Sequence, residues 1–214
     1  MKHNTYIFDF DGTLVDSMPY WSAKVLNILD ACGVKYQKDI VKYIATLGDK
    51  GTAEYFKNDL GVKLTLDEMY DMMDAFALPK YRDVIGFKEG VKDYLLRMKD
   101  LNISLNVLTA SPHKMLDPCL KRLEVFDIFD NVWSCDDFML TKSDVRIYHE
   151  AVKRLNCDIS DAAFFDDNIN AIKTAHDAGL YTVGVYDDSG ADFSEQIKNT
   201  ADIYIKTFDG FDAI

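Results

Sequence analysis

Tyr6-Ile7-Phe8-Asp9-Phe10-Asp11-Gly12-Thr13 is the stretch on which the reading of this 214-residue chain turns. A β-branched and aromatic run that ends at glycine predicts a short buried strand entering a turn. Two carboxylates, Asp9 and Asp11, stand at the exit of that strand. In open α/β sheets, ligands collect outside the carboxyl ends of the strands, so the position of these acids matters as much as their chemistry.

Outward from this strand the texture changes twice. Pro19 opens a helical pattern with Trp21, Val25, Ile28 and Leu29 on one face, stopping near Gly33. Further helical stretches are expected over roughly 37–60, interrupted by Gly48 and Gly51, and over 65–78, with Pro79 closing the section. Residues 17–87 therefore read as purely helical. From Gly90 onward, helices alternate with apolar runs: 103–108, Val132-Trp133, 162–165, 181–186 and 203–205. Ser111-Pro112 is expected to start one helix as cap and first-turn proline, Ser143 to cap another, and Gly179 to end a third. Strands alternating with helices of this length predict a parallel sheet covered on both faces. The helical section interrupts that pattern after the first strand, so residues 17–87 are expected to form an inserted domain within a core made of 1–16 and 88–214.

The composition agrees with a globular protein and argues against several other classes. Hydrophobic residues make up 48% and charged residues 28%, ordinary values for a folded domain. No apolar run approaches the roughly 20 residues of a membrane-spanning helix, and the N-terminus lacks a secretory pattern, so the expected compartment is the cytoplasm. The net charge of −12 disfavours a nucleic-acid partner, because an acidic surface repels the phosphate backbone. That charge is uneven. Residues 17–87 hold 9 Lys+Arg against 10 Asp+Glu, whereas the remainder holds 15 against 26. Cys32, Cys119, Cys135 and Cys157 show neither close pairing nor ligand-like spacing, which points to reduced thiols.

The polar residues expected at strand ends form a set. The first strand contributes Asp9 and Asp11, and the second contributes Thr109-Ala110-Ser111. A later one contributes Asp166-Asp167-Asn168. Lys142 lies just before a helix, after the Val132-Trp133 strand. Four carboxylates, a hydroxyl and an ammonium are thus expected on one edge of the sheet. Carboxylates packed together need a cation among them, and oxygen-only ligands favour a hard ion such as Mg²⁺. The set suits phosphoryl transfer. Thr109 and Lys142 would hold phosphate oxygens, and a carboxylate two residues beyond the nucleophile can protonate a leaving alcohol and later deprotonate water.

These residues also carry a family resemblance. Asp9-Phe10-Asp11-Gly12-Thr13-Leu14-Val15-Asp16-Ser17 is similar to the signature of haloacid dehalogenase-like phosphatases. Leu108-Thr109-Ala110-Ser111 resembles that family's second motif, Lys142 its third, and Phe164-Phe165-Asp166-Asp167-Asn168 its fourth, all in order along the chain. The resemblance implies a Rossmann-like, doubly wound core with an α-helical cap, as in the phosphoglycolate phosphatase and β-phosphoglucomutase subfamily. It implies that Asp9 becomes phosphorylated, that Asp11 is the general acid/base and lends its backbone carbonyl to Mg²⁺, and that Asp167 contacts the metal most directly. Asp166 would bind directly or through water. Thr109, Ala110 and Lys142 would bind the substrate phosphate, and the substrate would be a small phosphorylated metabolite. One departure stands out: Lys142 is followed by Ser143-Asp144-Val145 in place of the family's proline-rich segment.

Other readings fit less well. A receiver domain places its acidic pair first, whereas here the pair comes last. A true dehalogenase lacks the acid two residues after its nucleophile. A phosphomutase of the β-phosphoglucomutase type shares every core motif and stays open as the alternative to hydrolysis. Within the insertion, Tyr20 and Trp21 are expected to pack, and Lys50, in the Gly48-Asp49-Lys50-Gly51 break, is the candidate for specificity. His113 is expected on the surface, and the acidic tail from Asp187 onward is expected to be a solvated rim.

Overall fold

The computed structural model describes residues 3–37, 39–45 and 47–214. By its internal contacts the chain divides into two compact units: Ser17–Val84, and the residues before it together with Ile85–Ile214.

The larger unit is built on strand β1 (Thr5–Phe8), every residue of which is buried. After the helical insertion come α5 (Val91–Asp100), β2 (Ser104–Thr109), α6 (His113–Arg122), β3 (Asn131–Ser134), α7 (Val145–Leu155), β4 (Ala162–Asp166), α8 (Ile169–Ala178), β5 (Tyr181–Val185), α9 (Ser194–Thr200) and β6 (Ile203–Ile205). The six strands form one parallel sheet in the order β3-β2-β1-β4-β5-β6. Strand β1 lies centrally, with Thr5 opposite Ser104 on one side and Ala162 on the other. The alternation of side chains splits the apolar residues between two faces. Ile7, Leu108 and Phe164 pack with Ile147, Tyr148, Ala151, Ala171 and Ala175 from α7 and α8. On the opposite face, Tyr6, Phe8, Phe165, Tyr94 and Phe208 form an aromatic cluster, with the Phe8 and Phe165 rings 4.5 Å apart. Burial on both faces explains why these strands read as continuous apolar runs.

The smaller unit contains α1 (Met18–Ala31), α2 (Ile40–Ala45), α3 (Gly48–Asn58) and α4 (Leu66–Asp83). Its core gathers Val25, Ile28, Leu29, Ile44, Ala53, Phe56, Val62, Met69 and Met73. The helical segment thus follows the first strand of the sheet, as the pattern predicts.

Several local expectations are corrected. The helical stretch over 37–60 is two helices; residues 38 and 46 lie outside the described set. Gly48, at φ +66°, starts α3, because that backbone conformation suits glycine. Gly51 does not interrupt anything and lies inside α3. Pro79 does not close α4 but sits within it. A proline inside a helix removes its own donor and crowds the carbonyl four residues before it, a cost the rest of the helix must offset. Here the helix is held at its start by a reciprocal cap, with Glu68 N donating to Thr65 Oγ1 at 3.2 Å and Thr65 N to Glu68 Oε2 at 2.7 Å, and buried Ala77 and Tyr81 flank the proline. Ser143 is not the cap of α7. Asp144 is, its carboxylate accepting from Arg146 N at 3.0 Å, which suits the positive end of a helix better than a hydroxyl. Among the described residues, no helix is long and apolar enough to cross a membrane.

Candidate active site

Asp9 leaves β1 with its own N–H donating to Phe165 O at 2.8 Å, so the sheet ladder itself aims its carboxylate. The turn beyond it is closed by Gly12 N to Val15 O at 3.0 Å and Leu14 N to Phe10 O at 2.9 Å. Gly12 takes φ +76°, and a Cβ there would stand 2.5 Å from a carboxylate oxygen of Asp167. Only glycine lets this turn close over that acid. Thr13 Oγ1 donates to the same carboxylate, Asp167 Oδ1, at 3.0 Å.

Asp166 ends β4 with 0% exposure, and one of its oxygens accepts from Asn168 N at 2.7 Å. Asn168 in turn caps α8. Lys142 reaches both acids: its Nζ lies 2.6 Å from Asp9 Oδ1 and 2.7 Å from Asp166 Oδ2. The missing proline-rich segment does not displace this lysine. Tyr148 Oη donates to Lys142 O at 2.9 Å and fixes the backbone of the turn from within α7.

Asp9, Asp166 and Asp167 each offer a carboxylate oxygen within 4.8 Å of the others. Burial pushes the Asp9 carboxyl up to about 7; Lys142 opposes this, while Asp166 and Asp11 add to it. Burial likewise holds Asp167 well above the usual carboxylate range, reinforced by Asp166, Asp9 and Asp187. Burial disfavours the Lys142 ammonium, but Asp166 and Asp9 outweigh it and raise its pKa. Among the contacts described, three carboxylates therefore face the one ammonium of Lys142. That is the donor set of a hard divalent ion.

Thr109, at the end of β2, is 1% exposed, and its Oγ1 accepts from Ser111 N at 3.1 Å, leaving its hydroxyl proton for another acceptor. Ala110 is exposed beside it. Ser111 is not a helix cap: Pro112 takes that place without a side-chain bond, and Ser111 Oγ donates to Asp11 Oδ2. His113 is half-exposed but not idle on the surface. Its two ring nitrogens meet Asp117 at 2.8 Å and Asp137 at 2.9 Å, and those hydrogen bonds raise its pKa.

The tail is not wholly a solvated rim. Asp187 is buried and pairs with Lys88 at 2.8 Å. The same ammonium donates to Gly12 O and Tyr186 O, both at 2.6 Å. Lys88 thus ties the turn after Asp9 to the exit of β5. No motif in the sequence marks it, since a lone lysine after a helical section reads as solvated.

In the helical unit, Lys50 is exposed on the first turn of α3. Its neighbour Asp49 binds Lys24 Nζ at 2.8 Å and accepts from Trp21 Nε1 at 2.9 Å. Lys24 is a buried cation of this unit, at 5% exposure. Trp21 packs against the helical core, as expected.

The pattern of the haloacid dehalogenase-like hydrolases matches residues 6–185. The pyrophosphatase PpaX of Bacillus velezensis is 28% identical over 182 residues, covering 84% of this chain and 81% of that protein. A phosphorylated-carbohydrates phosphatase of Thermotoga maritima is 24% identical over 174 residues, covering 81% of each. Among solved structures, CbbY from Rhodobacter sphaeroides in complex with phosphate superposes with a TM-score of 0.82 at 20% identity, covering 97% of this chain and 96% of that one. That last likeness is one of fold.

Proposed function

The chain belongs to the haloacid dehalogenase-like hydrolases, and we propose that it is a magnesium-dependent phosphatase that hydrolyses small phosphate monoesters through a phosphorylated Asp9. The observation that carries this reading is the incompletely balanced cluster: Lys142 bonded to both Asp9 and Asp166, with Asp167 beside them. Such a cluster can take up both a divalent cation and a phosphate dianion. The relatives named for phosphorylated carbohydrates and for pyrophosphate act on small phosphorylated compounds, which is the substrate class we assign here.

Asp9, Asp166 and Asp167, with the Asp11 carbonyl, would hold Mg²⁺, which when bound offsets the repulsion between an anionic nucleophile and an anionic phosphate. The Thr109 hydroxyl, the Ala110 backbone and the Lys142 ammonium orient the phosphate oxygens. An Asp9 oxygen attacks phosphorus as the ester P–O bond breaks, and Asp11 gives its proton to the departing alcohol. Asp11 then takes a proton from water, whose oxygen attacks the phosphoaspartate and releases inorganic phosphate and free Asp9. Water needs no recognition, so hydrolysis is preferred here over transfer to a sugar hydroxyl. The helical unit, with Lys50, is assigned to leaving-group specificity as a cap.

The test is phosphate release from a panel of sugar phosphates, phosphoglycolate, nucleotides and pyrophosphate, with Mg²⁺ and with chelator. The reading expects turnover of at least one compound that vanishes on chelation. Full turnover without metal contradicts it, as does rapid conversion of β-glucose 1-phosphate to glucose 6-phosphate with little free phosphate.

A further inference from the structure

Lys88 is bonded twice to the turn that follows Asp9. Its backbone N–H donates to Leu14 O at 3.0 Å, and its ammonium donates to Gly12 O at 2.6 Å. The same ammonium donates to Tyr186 O at 2.6 Å and to Asp187 Oδ2 at 2.8 Å, so each of its three protons has an acceptor. The pair with Asp187 is nearly out of water, at 15% and 6% side-chain exposure. Asp187 is held in turn through its other oxygen, which accepts from Ser189 N at 2.9 Å and from Ser189 Oγ at 2.6 Å. A lysine so enclosed keeps one geometry, where an exposed one samples many.

The turn needs such a brace. Gly12, at φ +76°, has the backbone freedom that only glycine carries. Its N–H is fixed by Val15 O at 3.0 Å, and its carbonyl by Lys88. The planar trans peptide that carries this N–H also carries the Asp11 carbonyl, on its opposite side. The next residue, Thr13, donates its hydroxyl to Asp167 Oδ1 at 3.0 Å. We infer that Lys88 is a positioning residue for the metal: by pinning Gly12 at its carbonyl end, it fixes where the Asp11 carbonyl and, through Thr13, the Asp167 carboxylate stand as ligands. The inference rests on the reading of Asp11 and Asp167 as Mg²⁺ ligands. Lys88 takes no part in proton or phosphoryl transfer, so its loss weakens the hold on the cation more than it slows the loaded enzyme.

Metal affinity separates this role from one in folding alone. The probe is Mg²⁺ itself, titrated calorimetrically into the full chain without substrate, at a temperature where circular dichroism shows each variant folded. Lys88→Met is expected to raise the Kd for Mg²⁺ at least about tenfold. That substitution leaves the Asp187 charge buried without its partner. The double variant Lys88→Met/Asp187→Asn removes both charges, and the same rise is expected in it, so the test stands even where the single variant does not fold. With para-nitrophenyl phosphate, the Mg²⁺ concentration for half-maximal turnover should rise by a similar factor, while kcat at saturating Mg²⁺ falls by less than about threefold. Asp167→Asn serves as the reference and should lose measurable Mg²⁺ binding. An unchanged Kd in a folded Lys88 variant, with binding lost in Asp167→Asn, overturns the role of Lys88 alone. Wild-type binding in Asp167→Asn overturns the metal-site reading and this inference with it.

Discussion

The carboxyl edge of the sheet and the helical insertion each bury a lysine, and they surround it differently. In the insertion, the Lys24 side chain is 7% exposed and meets Asp49, whose side chain is 45% exposed. One ammonium faces one carboxylate with access to water, and the Trp21 N–H completes the set. At the sheet edge, Lys142 is shared by Asp9 and Asp166, 6% and 0% exposed in their side chains, and Asp167 adds a third acid. The first arrangement is closed and serves the fold. The second is short of positive charge and is stable only with its acids partly protonated or with a cation present. An unclosed charge balance inside a well-packed unit marks the place where the protein binds something.

The sharpest way to break this contrast is Asp9→Asn. The amide cannot form the phosphoaspartate, so turnover is expected to fall by more than about a hundredfold. Because the substitution also removes one of the crowded negative charges, the metal-free variant is expected to melt no lower than the wild type. A well-folded variant that retains more than about a hundredth of the activity contradicts the nucleophile assignment.

The two lysines can be compared directly. Lys142→Met strips the cluster of its ammonium and is expected to cost about 3 kcal/mol or more in urea denaturation of the chelated protein. Lys24→Met leaves Asp49 in contact with water and is expected to cost about 1 kcal/mol. Equal costs would show that the sheet edge is no more strained than the insertion.

The charge balance also has a pH signature. The Asp9 carboxyl keeps its proton up to about 7 in the folded chain and to about 4 in an unfolded one. Between those values the folded state binds more protons, so the metal-free protein is expected to lose stability as pH rises through that window. Mg²⁺ takes the place of the proton and should raise Tm most at the alkaline end. A chelated protein whose Tm is flat across this range would show that Asp9 is already compensated.

The smallest effect expected is at Lys50. Under the proposed division, in which the helical unit reads the leaving group and the core holds the phosphate, Lys50→Ala should raise KM for the best substrate by severalfold while leaving a small aryl phosphate nearly unchanged. Equal changes for both substrates return Lys50 to the solvated surface.

Much of the sheet edge was legible because its chemistry and its position coincide. Asp9, Thr109 and Asp166 each end an apolar run, so strand pattern alone places them together. What escaped the sequence is what depends on tertiary partners. Ser111 before a proline reads as a helix cap, and only the neighbouring turn shows that its hydroxyl serves Asp11. Lys88 and Asp187 lie 99 residues apart in the chain, and no local pattern announces their pairing. Pro79 reads as a stop because propensity is local, while the buried neighbours Ala77 and Tyr81 are not.

The central claim is that the phosphoryl group passes through Asp9, and trapping that ester tests it most directly. The enzyme is mixed with Mg²⁺ and para-nitrophenyl phosphate, quenched in acid and reduced with borohydride, which converts an aspartyl phosphate to homoserine. Mass spectrometry of the peptide spanning Tyr6 to Thr13 is predicted to show that conversion at Asp9 and not at Asp11. Conversion at any other carboxylate, or none while phosphate is being released, would contradict the account.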